Sequence, residues 1–290
     1  WNPAGLAYIQ NKQTMFMYQP WVAGISNVYA GIAVNYYGYG TLALTMNYMN
    51  YGDEAVTTVS NPEGTGELYS ASEFAASISY ARKIVNWFSF GASAKYISSN
   101  IWHMNANAMA LDLGVLVTTD FLSVTGKRNQ GMKIGMSISN YGTRLRYDGM
   151  DLMVPIDPNP DEYGNFDDVE GLYKTSEWEL PLIFRLGFSV QPIYSRQFKL
   201  LVAMDALHPN NNNESVNIGT QLSYIYPGRM GLFLRAGYKG IFLKDSEYGL
   251  TYGGGIRFYM SDFNFFDLDY TYKTMGMLGD VHLYTFKFSF

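Results

Sequence analysis

The clearest pattern in the chain is its last segment, Val281-His-Leu-Tyr-Thr-Phe-Lys-Phe-Ser-Phe290. Large side chains alternate with polar ones, and successive side chains of a β-strand point to opposite faces. The segment therefore predicts a strand with one aromatic face and one polar face. Its large residues are Tyr284, Phe286, Phe288 and Phe290, and its polar residues are Thr285, Lys287 and Ser289.

Similar alternating segments recur along the whole chain, so the pattern is a property of the fold and not of one strand. Apolar-out, polar-in strands of about ten residues are typical of membrane β-barrels. With the last segment the count is about fourteen, an even number that lets the first and last strands pair and close the sheet. The other predicted strands are Gln13–Gln19, Tyr29–Tyr37, Thr41–Tyr51, Phe74–Lys83, Trp87–Ile97, Ala106–Thr118, Met132–Asn140, Pro181–Gln191, Gln197–Asp205, Ser215–Ile225, Met230–Lys239, Gly249–Tyr259 and Phe263–Lys273.

The lengths of the connections give an independent indication of the same fold. If both termini lie in the periplasm, short inside turns should alternate with long outside loops. The predicted inside turns are Gly38–Gly40, Ile84–Asn86, Thr119–Gly131, Pro192–Arg196, Tyr226–Arg229 and Met260–Asp262, all short except the third. The predicted outside loops are Pro20–Val28, Gly52–Glu73, Ser98–Asn105, Tyr141–Leu180, Ala206–Glu214, Gly240–Tyr248 and Thr274–Asp280.

Composition agrees with a barrel in the bacterial outer membrane. Aromatic residues make up 17% of the chain and charged residues only 16%, against about 25% charged in a typical soluble protein. No stretch of 18 apolar residues predicts a membrane helix. We therefore predict an all-β transmembrane antiparallel barrel of about 14 strands, with a soluble all-β protein as the alternative. Because the chain begins at Trp1 with no leader, we expect a signal peptide to precede it in the precursor.

The first residues, Trp1-Asn2-Pro3-Ala4-Gly5-Leu6-Ala7, resemble the Asn-Pro-Ala-Gly-Leu-Ala element near the mature N-terminus of FadL-type outer-membrane proteins. The preceding Trp, the compact size and the terminal Phe290 more specifically resemble the PorV/PorQ branch of that superfamily, which belongs to the type IX secretion system of Bacteroidetes-like bacteria. The family usually carries a Gly- and Ala-rich segment before this element, and it is absent here.

The resemblance implies a fourteen-stranded barrel without catalysis. Residues 1–12 would form a plug or periplasmic segment, with Asn2, Pro3, Ala4 and Gly5 as the plug motif, and residues 13–290 would form the barrel. PorV-like members are similar to adaptors or shuttles that hold the C-terminal domains of secreted cargo beside a large translocon barrel, and PorQ-like members attach to a surface partner. FadL itself carries long-chain fatty acids, so a transporter of a hydrophobic solute is the alternative.

Charged residues fall on the polar, inward face of the predicted strands. They predict either a selectivity surface for an anionic solute or an internal network of salt bridges that fills a narrow lumen. We favour the network, because both signs of charge occur and charges inside a narrow barrel need partners. The predicted members are Lys95, Asp112, Lys133, Arg185, Lys199, Asp205, Arg235, Arg257, Asp267, Asp269 and Lys287.

The longest outside loop, Tyr141–Leu180, is rich in acidic and aromatic residues. Its segment Asp157–Asp168 has oxygen ligands suited to Ca²⁺, but it lacks the spacing of an EF-hand. We therefore interpret the loop as a solvated segment or a docking surface for a protein partner. The candidate partner residues are Tyr163, Phe166, Tyr173 and Trp178.

No catalytic, cofactor or nucleic-acid site is predicted. The three histidines, His103, His208 and His282, form no metal-binding pair, and no Gly-x-Ser-x-Gly motif is present. Gly253-Gly254-Gly255 lacks the Lys-Ser/Thr of a phosphate loop and is better explained by a bent strand. Cysteine is absent and the net charge is −5 without a basic run, which argues against disulfides and against nucleic acid. Membrane lipid and secretion proteins are the expected partners.

Overall fold

Fourteen antiparallel strands close into a barrel in the computed structural model, which describes residues 1–158, 161, 169–243, 246–261 and 264–290. Three further short strands, the eighth to the tenth in chain order, lie in the long connection that follows the seventh strand. In chain order the strands are β1 (Gln13–Pro20), β2 (Ser26–Tyr36), β3 (Gly40–Ala55), β4 (Leu68–Val85), β5 (Phe88–Ile101), β6 (Met104–Thr118), β7 (Lys133–Gly142), β8 (Asp148–Gly149), β9 (Met153–Ile156), β10 (Val169–Leu172), β11 (Ile183–Tyr194), β12 (Phe198–Pro209), β13 (Ser215–Tyr226), β14 (Met230–Ile241), β15 (Leu250–Tyr259), β16 (Phe265–Thr274) and β17 (Asp280–Ser289).

The barrel closes where its first and last strands meet. β1 pairs antiparallel with β17, with Phe16 opposite Phe286 and the two ring centroids 6.5 Å apart. β7 pairs with β11 across the long connection, and every other barrel strand pairs with its neighbours in sequence. This closure removes the exposed edges that an open sheet would carry, and it confirms the predicted fourteen-stranded barrel.

The alternation of side chains has the predicted sense. Leu234 and Phe286 point outward and are 65% and 43% exposed, whereas Asp267 and Thr285 point inward and are buried. Apolar side chains therefore form the outer surface, where they meet lipid, and polar side chains line the interior. Neither Leu234 nor Phe286 packs in a protein core.

Several predicted strand boundaries are wrong: β4 begins at Leu68 and not at Phe74, and β12 ends at Pro209 and not at Asp205. The outside loop predicted at Ser98–Asn105 is only the two-residue turn Trp102–His103, because β5 and β6 continue beyond the apolar belt. The predicted end of β11 before Pro192 is also wrong, since the strand continues to Tyr194. A register shift between Val190 and Ile193 accommodates the proline, because a bulge tolerates a residue without an N–H group.

Helical structure within the described residues is limited to short 3-10 turns, and none of these helices is long and apolar enough to cross a membrane. We call the end of the barrel that carries the short β2–β3 and β4–β5 turns the turn end. The opposite end, with the connection between β7 and β11, is called the loop end. The 3-10 turns are Pro3–Tyr8, Val22–Gly24, Arg128–Gln130, Met150–Leu152 and Gly276–Leu278.

Candidate functional site

The N-terminal turn Pro3–Tyr8 lies inside the barrel, and Asn2 attaches it to the wall. The Asn2 Oδ1 atom accepts a hydrogen bond from the Ala4 backbone N–H at 3.0 Å, which caps the turn in the usual manner of asparagine. The Asn2 Nδ2 atom donates to the carbonyl oxygens of Val115 at 2.9 Å and Met136 at 3.2 Å. One side chain therefore starts the turn and binds it to β6 and β7.

We call residues 2–8 the plug. Glycines on three neighbouring strands make room for it. A Cβ atom at Gly91 would lie 2.5 Å from the Ala4 backbone nitrogen, and one at Gly114 would lie 2.9 Å from the Pro3 Cδ atom. A Cβ at Gly135 would lie 3.3 Å from the Asn2 Nδ2 atom. The first two distances are too short for any side chain, so the plug rests directly on the backbone of β5 and β6.

Further hydrogen bonds hold the rest of the plug against the wall. The hydroxyl groups of Tyr8 and Thr118 are 3.0 Å apart, and the Asn35 Nδ2 atom donates at 2.6 Å to the carbonyl of Ile9, the residue directly after the plug. Ala4 is 0% exposed, and its carbonyl accepts a bond from the Ser89 hydroxyl at 3.4 Å. Gly5, the last residue of the predicted motif, has open space around its Cα. The plug thus occupies the turn end of the lumen on the side of β3 to β6.

At the loop end, part of the long loop between β7 and β11 folds into the mouth of the barrel. Leu145 and Leu180 pack against the inward-facing side chains of Ala106, Ala108 and Ala110 on β6. The Tyr147 hydroxyl lies 2.7 Å from the hydroxyl of Ser99, which faces inward on β5. Small side chains on β6 therefore make space for the loop, just as the glycines make space for the plug.

The two ends of this loop are held together by strand-like contacts. Leu145 and Trp178 exchange backbone hydrogen bonds of 2.9 and 3.0 Å, and Arg144 forms a 2.9 Å ion pair with Glu179. Further out, β9 and β10 form a two-stranded hairpin. The loop therefore has an ordered base and a projecting outer part.

Of the four candidate partner residues, two are in the described part of this loop. Tyr173 is 66% exposed and Trp178 is 39% exposed, and the Trp178 ring lies 5.2 Å from that of Tyr147. Tyr163 and Phe166 lie outside the described residues, as does most of the segment considered for Ca²⁺. Trp178 therefore belongs to the base of the loop, and Tyr173 to its exposed surface.

Three groups of inward-facing charges lie close enough to form ion pairs. On β15 to β17, Arg257 donates two hydrogen bonds of 2.7 and 2.8 Å to Asp267, and the Lys287 Nζ atom lies 3.0 Å from the Oδ2 atom of the same carboxylate. Arg235 forms an ion pair with Asp269 and donates to the Gln221 side chain at 2.8 Å.

The third group ties β5, β6 and β7 together between the plug and the mouth. Lys95 lies 2.6 Å from Asp112 and donates to the Asn140 side chain at 3.0 Å. The Asn140 backbone N–H donates to the Asp112 carboxylate at 2.8 Å. This contact coincides with a register shift between β6 and β7, so the charged group satisfies a backbone donor that the irregular ladder leaves free.

The other four candidate charges do not join an ion pair within the described residues. Three are cations that face aromatic rings: Lys133 at 5.7 Å from the Tyr8 ring, Arg185 at 4.6 Å from the Trp1 ring and Lys199 at 4.8 Å from the Tyr194 ring. The fourth is Asp205, which fills the space beside Gly187. The predicted network is thus divided into local groups in the structure.

The cavities of the barrel differ in character between the inside and the outside. A lumenal cavity of about 420 Å³ is lined by residues of β12 to β16, which include the polar Asn217 and Thr271, several glycines, and the apolar Leu201. Two apolar cavities of about 920 and 840 Å³ lie on the outer wall, near Leu234 and Ile32 respectively. The two larger cavities are therefore on the lipid-facing side, and charged groups are found in the lumenal one.

Sequence reasoning missed the glycines that receive the plug and the residues Tyr8 and Asn35 that secure it. The available signal was glycine at inward positions of three successive strands, Gly91, Gly114 and Gly135. The absence of a side chain at such positions indicates close approach of another backbone. Nothing in the sequence pattern says which segment approaches.

Comparison with solved structures finds the same fold in outer-membrane channels. The P. putida toluene transporter TodX matches with a TM-score of 0.59 and 10% identity over 100% of this chain and 92% of TodX. The Ralstonia pickettii toluene transporter TbuX matches with a TM-score of 0.55 and 11% identity over 100% and 92%. The monoaromatic hydrocarbon channel CymD matches with a TM-score of 0.57 and 12% identity over 100% and 91%. At these identities the likeness shows the fold alone.

The sequence comparison is more specific about the family. No curated protein matches the chain. The family model described as type IX secretion system protein PorV matches residues 1–170, which is more than half of the chain and includes the plug and strands β1 to β7. The chain therefore belongs to the PorV family and is an outer-membrane β-barrel of type IX secretion.

Proposed function

We propose that this protein is a non-enzymatic adaptor or shuttle in type IX secretion. It binds secreted cargo, or a translocon or attachment subunit, through its outside loops. The observation that carries the proposal is the exposed apolar surface of the long loop, presented on an ordered base at the loop end. Membership of the PorV family indicates the secretion system in which the protein acts. The loop is the surface proposed to contact the partner.

The apolar surface lies on the projecting part of the loop and not on the lipid belt. Met150, Met153, Leu172 and Tyr173 are all exposed there, and they lie in or next to the β9–β10 hairpin. Clustered exposed apolar residues outside the membrane are typical of surfaces that bind protein. The ordered base reduces the conformational entropy that binding would otherwise cost.

The contents of the lumen favour an adaptor over a conduit. The plug occupies one side of the turn end, the loop residues Leu145 and Leu180 occupy the mouth, and ion pairs on the inner face of the wall join neighbouring strands. The lumenal cavity carries the charged groups of Asp205, Arg235 and Lys239 among its lining residues. An apolar solute in this cavity would take these charged groups out of water, which is costly.

A pull-down from detergent-solubilised outer membranes tests the adaptor proposal. The full chain is compared with a variant in which Met150, Met153, Leu172 and Tyr173 are replaced by serine. We expect the wild type to recover secreted proteins or a very large barrel and the variant to lose them. A matched control replaces the exposed apolar residues Val59 and Leu68, which lie on the β3–β4 hairpin. Equal recovery by the wild type and the loop variant would contradict the proposal.

The second candidate is a FadL-like transporter of a hydrophobic solute such as a long-chain fatty acid. It is favoured by the match over the full chain to proteins described as toluene transporters and a hydrocarbon channel. Liposomes that contain the protein distinguish the two functions. Uptake of a fatty acid or of toluene above that of empty liposomes supports transport, whereas no uptake together with cargo recovery supports the adaptor.

A further inference from the structure

Two lysine ammonium groups contact the same aromatic ring, that of Tyr248, at the loop end of the lumen. Lys239, near the end of β14, has its Nζ atom 3.9 Å from the centroid of the Tyr248 ring. Lys273, near the end of β16, has its Nζ atom 4.7 Å from the same centroid and 5.0 Å from the Trp21 ring. The two ammonium groups are therefore less than about 9 Å apart.

Neither lysine is neutralised by an acid in the part of the chain that the structure describes. No carboxylate there lies within 4.0 Å of either ammonium group, whereas Lys95 and Lys287 each have one. Two like charges at this distance repel each other, and the low dielectric of the surrounding protein strengthens the repulsion. An anion between them would remove that repulsion.

Other donors converge on the same place. Lys239 lines the lumenal cavity of about 420 Å³ together with Asn217, Thr251 and Thr271. The Asn217 Oδ1 atom accepts a hydrogen bond from the Gly240 backbone N–H at 3.0 Å, which fixes the side-chain amide and leaves its NH₂ group as a donor. The cavity therefore has a cationic end with a fixed neutral donor beside it.

One carboxylate also lines this cavity and acts against an anion. Asp205 lies opposite Asn217 in the β12–β13 register, so Asn217 separates it from Lys239. Asp205 forms no ion pair within the described residues. Its negative charge lowers the affinity of the cavity for an anion. Replacing Asp205 by asparagine should therefore raise that affinity.

We propose that Lys239 and Lys273, with the amide of Asn217, form a binding site for the carboxylate or phosphate group of a small hydrophilic solute. Flexible ammonium groups bind such anions as point charges and close on them by rotation of their side chains. The cavity beyond Lys239 holds the uncharged part of the solute. The site is independent of the adaptor surface on the long loop.

Nuclear magnetic resonance of the detergent-solubilised full chain tests this site directly. The lysines carry ¹³C-methyl groups introduced by reductive methylation, and inorganic phosphate or acetate is titrated at constant ionic strength. We expect saturable shifts of the Lys239 and Lys273 signals with one common midpoint. Lys199, which faces a single ring, is the control, and its signal should shift at most linearly with the concentration of added anion. A lower midpoint for phosphate indicates a phosphoryl ligand, and a lower midpoint for acetate indicates a carboxylate ligand.

Two variants separate a site from diffuse attraction to a lysine-rich lumen. Lys273→Gln should raise the midpoint measured at Lys239 by roughly tenfold, because one of two coordinating charges is lost. Asp205→Asn should lower the midpoint, because an opposing charge is removed. Both variants must keep the electrophoretic mobility of the folded barrel. Linear shifts equal to those of Lys199, or a midpoint unchanged by Lys273→Gln, would overturn the proposal.

Discussion

The Asn2 side chain is central to the plug, because both the oxygen and the nitrogen of its amide form hydrogen bonds. Its oxygen caps the turn at Ala4, and its nitrogen donates to two carbonyl oxygens of the wall. Aspartate keeps the capping oxygen but replaces both donations with a negative charge that faces carbonyl oxygens. The position therefore separates formation of the turn from its attachment.

The Asn2→Asp substitution is predicted to release the plug. Two lost hydrogen bonds at about 1 kcal/mol each shift docking by about 2 kcal/mol, roughly a thirtyfold change in the undocked fraction. Because the chain has no cysteine, Ser89→Cys introduces a single thiol beneath the plug, where Ser89 is fully buried. Its rate of reaction with a maleimide should rise in the Asn2→Asp background. Asn11→Asp adds the same charge nearby and should leave the rate unchanged.

Gly114 is predicted to accept no side chain while the plug is bound. A Cβ atom there would collide with the Asn2 amide and would lie 2.9 Å from the Pro3 Cδ atom. We expect Gly114→Ala to increase labelling of the Ser89→Cys thiol by about fivefold or more, since overpacking costs typically 1–3 kcal/mol. Gly219→Ala is the control, because a Cβ there meets only the Ala236 carbonyl oxygen, at 3.7 Å. Equal labelling in the two alanine variants would show that Gly114 does not seat the plug.

Among the strands, agreement with the sequence pattern depends on what each face contacts. In β17 the two faces meet lipid and lumen, so the alternation from Tyr284 to Phe290 predicts the strand well. β5 and β6 extend past the lipid, where their outward side chains, such as Asn100 and Asn105, are polar. There the sequence looks like a loop, yet the strands continue, because their inward face packs against Leu145 and Tyr147. That contact is made by residues distant in sequence, and no local pattern contains it.

The ion cluster on β15 to β17 is predicted to stabilise the closing strands of the barrel. Asp267→Asn leaves Arg257 and Lys287 without their shared carboxylate, which is only 6% exposed. Charge-assisted hydrogen bonds contribute about 1.5–3 kcal/mol, so we expect a lower unfolding temperature by several degrees. The shift in mobility between folded and heated barrel on detergent gels measures it. Asp120→Asn, in the turn-end connection between β6 and β7, should have no effect; an unchanged midpoint for Asp267→Asn would rule out this stabilising role.

For the molecule as a whole, the sequence predicts the strands of the barrel wall better than the segments and side-chain contacts inside the lumen. Strand count, closure and the sense of the alternation follow from local periodicity and are confirmed. The plug motif is recognisable at Asn2 and Pro3, but its seat on Gly91 and Gly114 is made by strands about a hundred residues away. The pairing of Lys95 with Asp112 likewise depends on strand register, which a pattern of alternating residues leaves undefined.

The strongest test of the whole arrangement uses one substitution at two leucines. Leu234 on β14 faces outward and Leu201 on β12 faces the lumenal cavity. Arginine on the lipid face near the membrane midplane costs about 2–4 kcal/mol, whereas a lumenal arginine stays hydrated. We expect Leu234→Arg to lower folded yield in lipid vesicles and the unfolding midpoint in urea, and Leu201→Arg to change both much less. If Leu201→Arg were the more damaging substitution, the assignment of the two faces to lipid and lumen would be wrong. The charges, the plug and the cavity could then not lie inside the barrel.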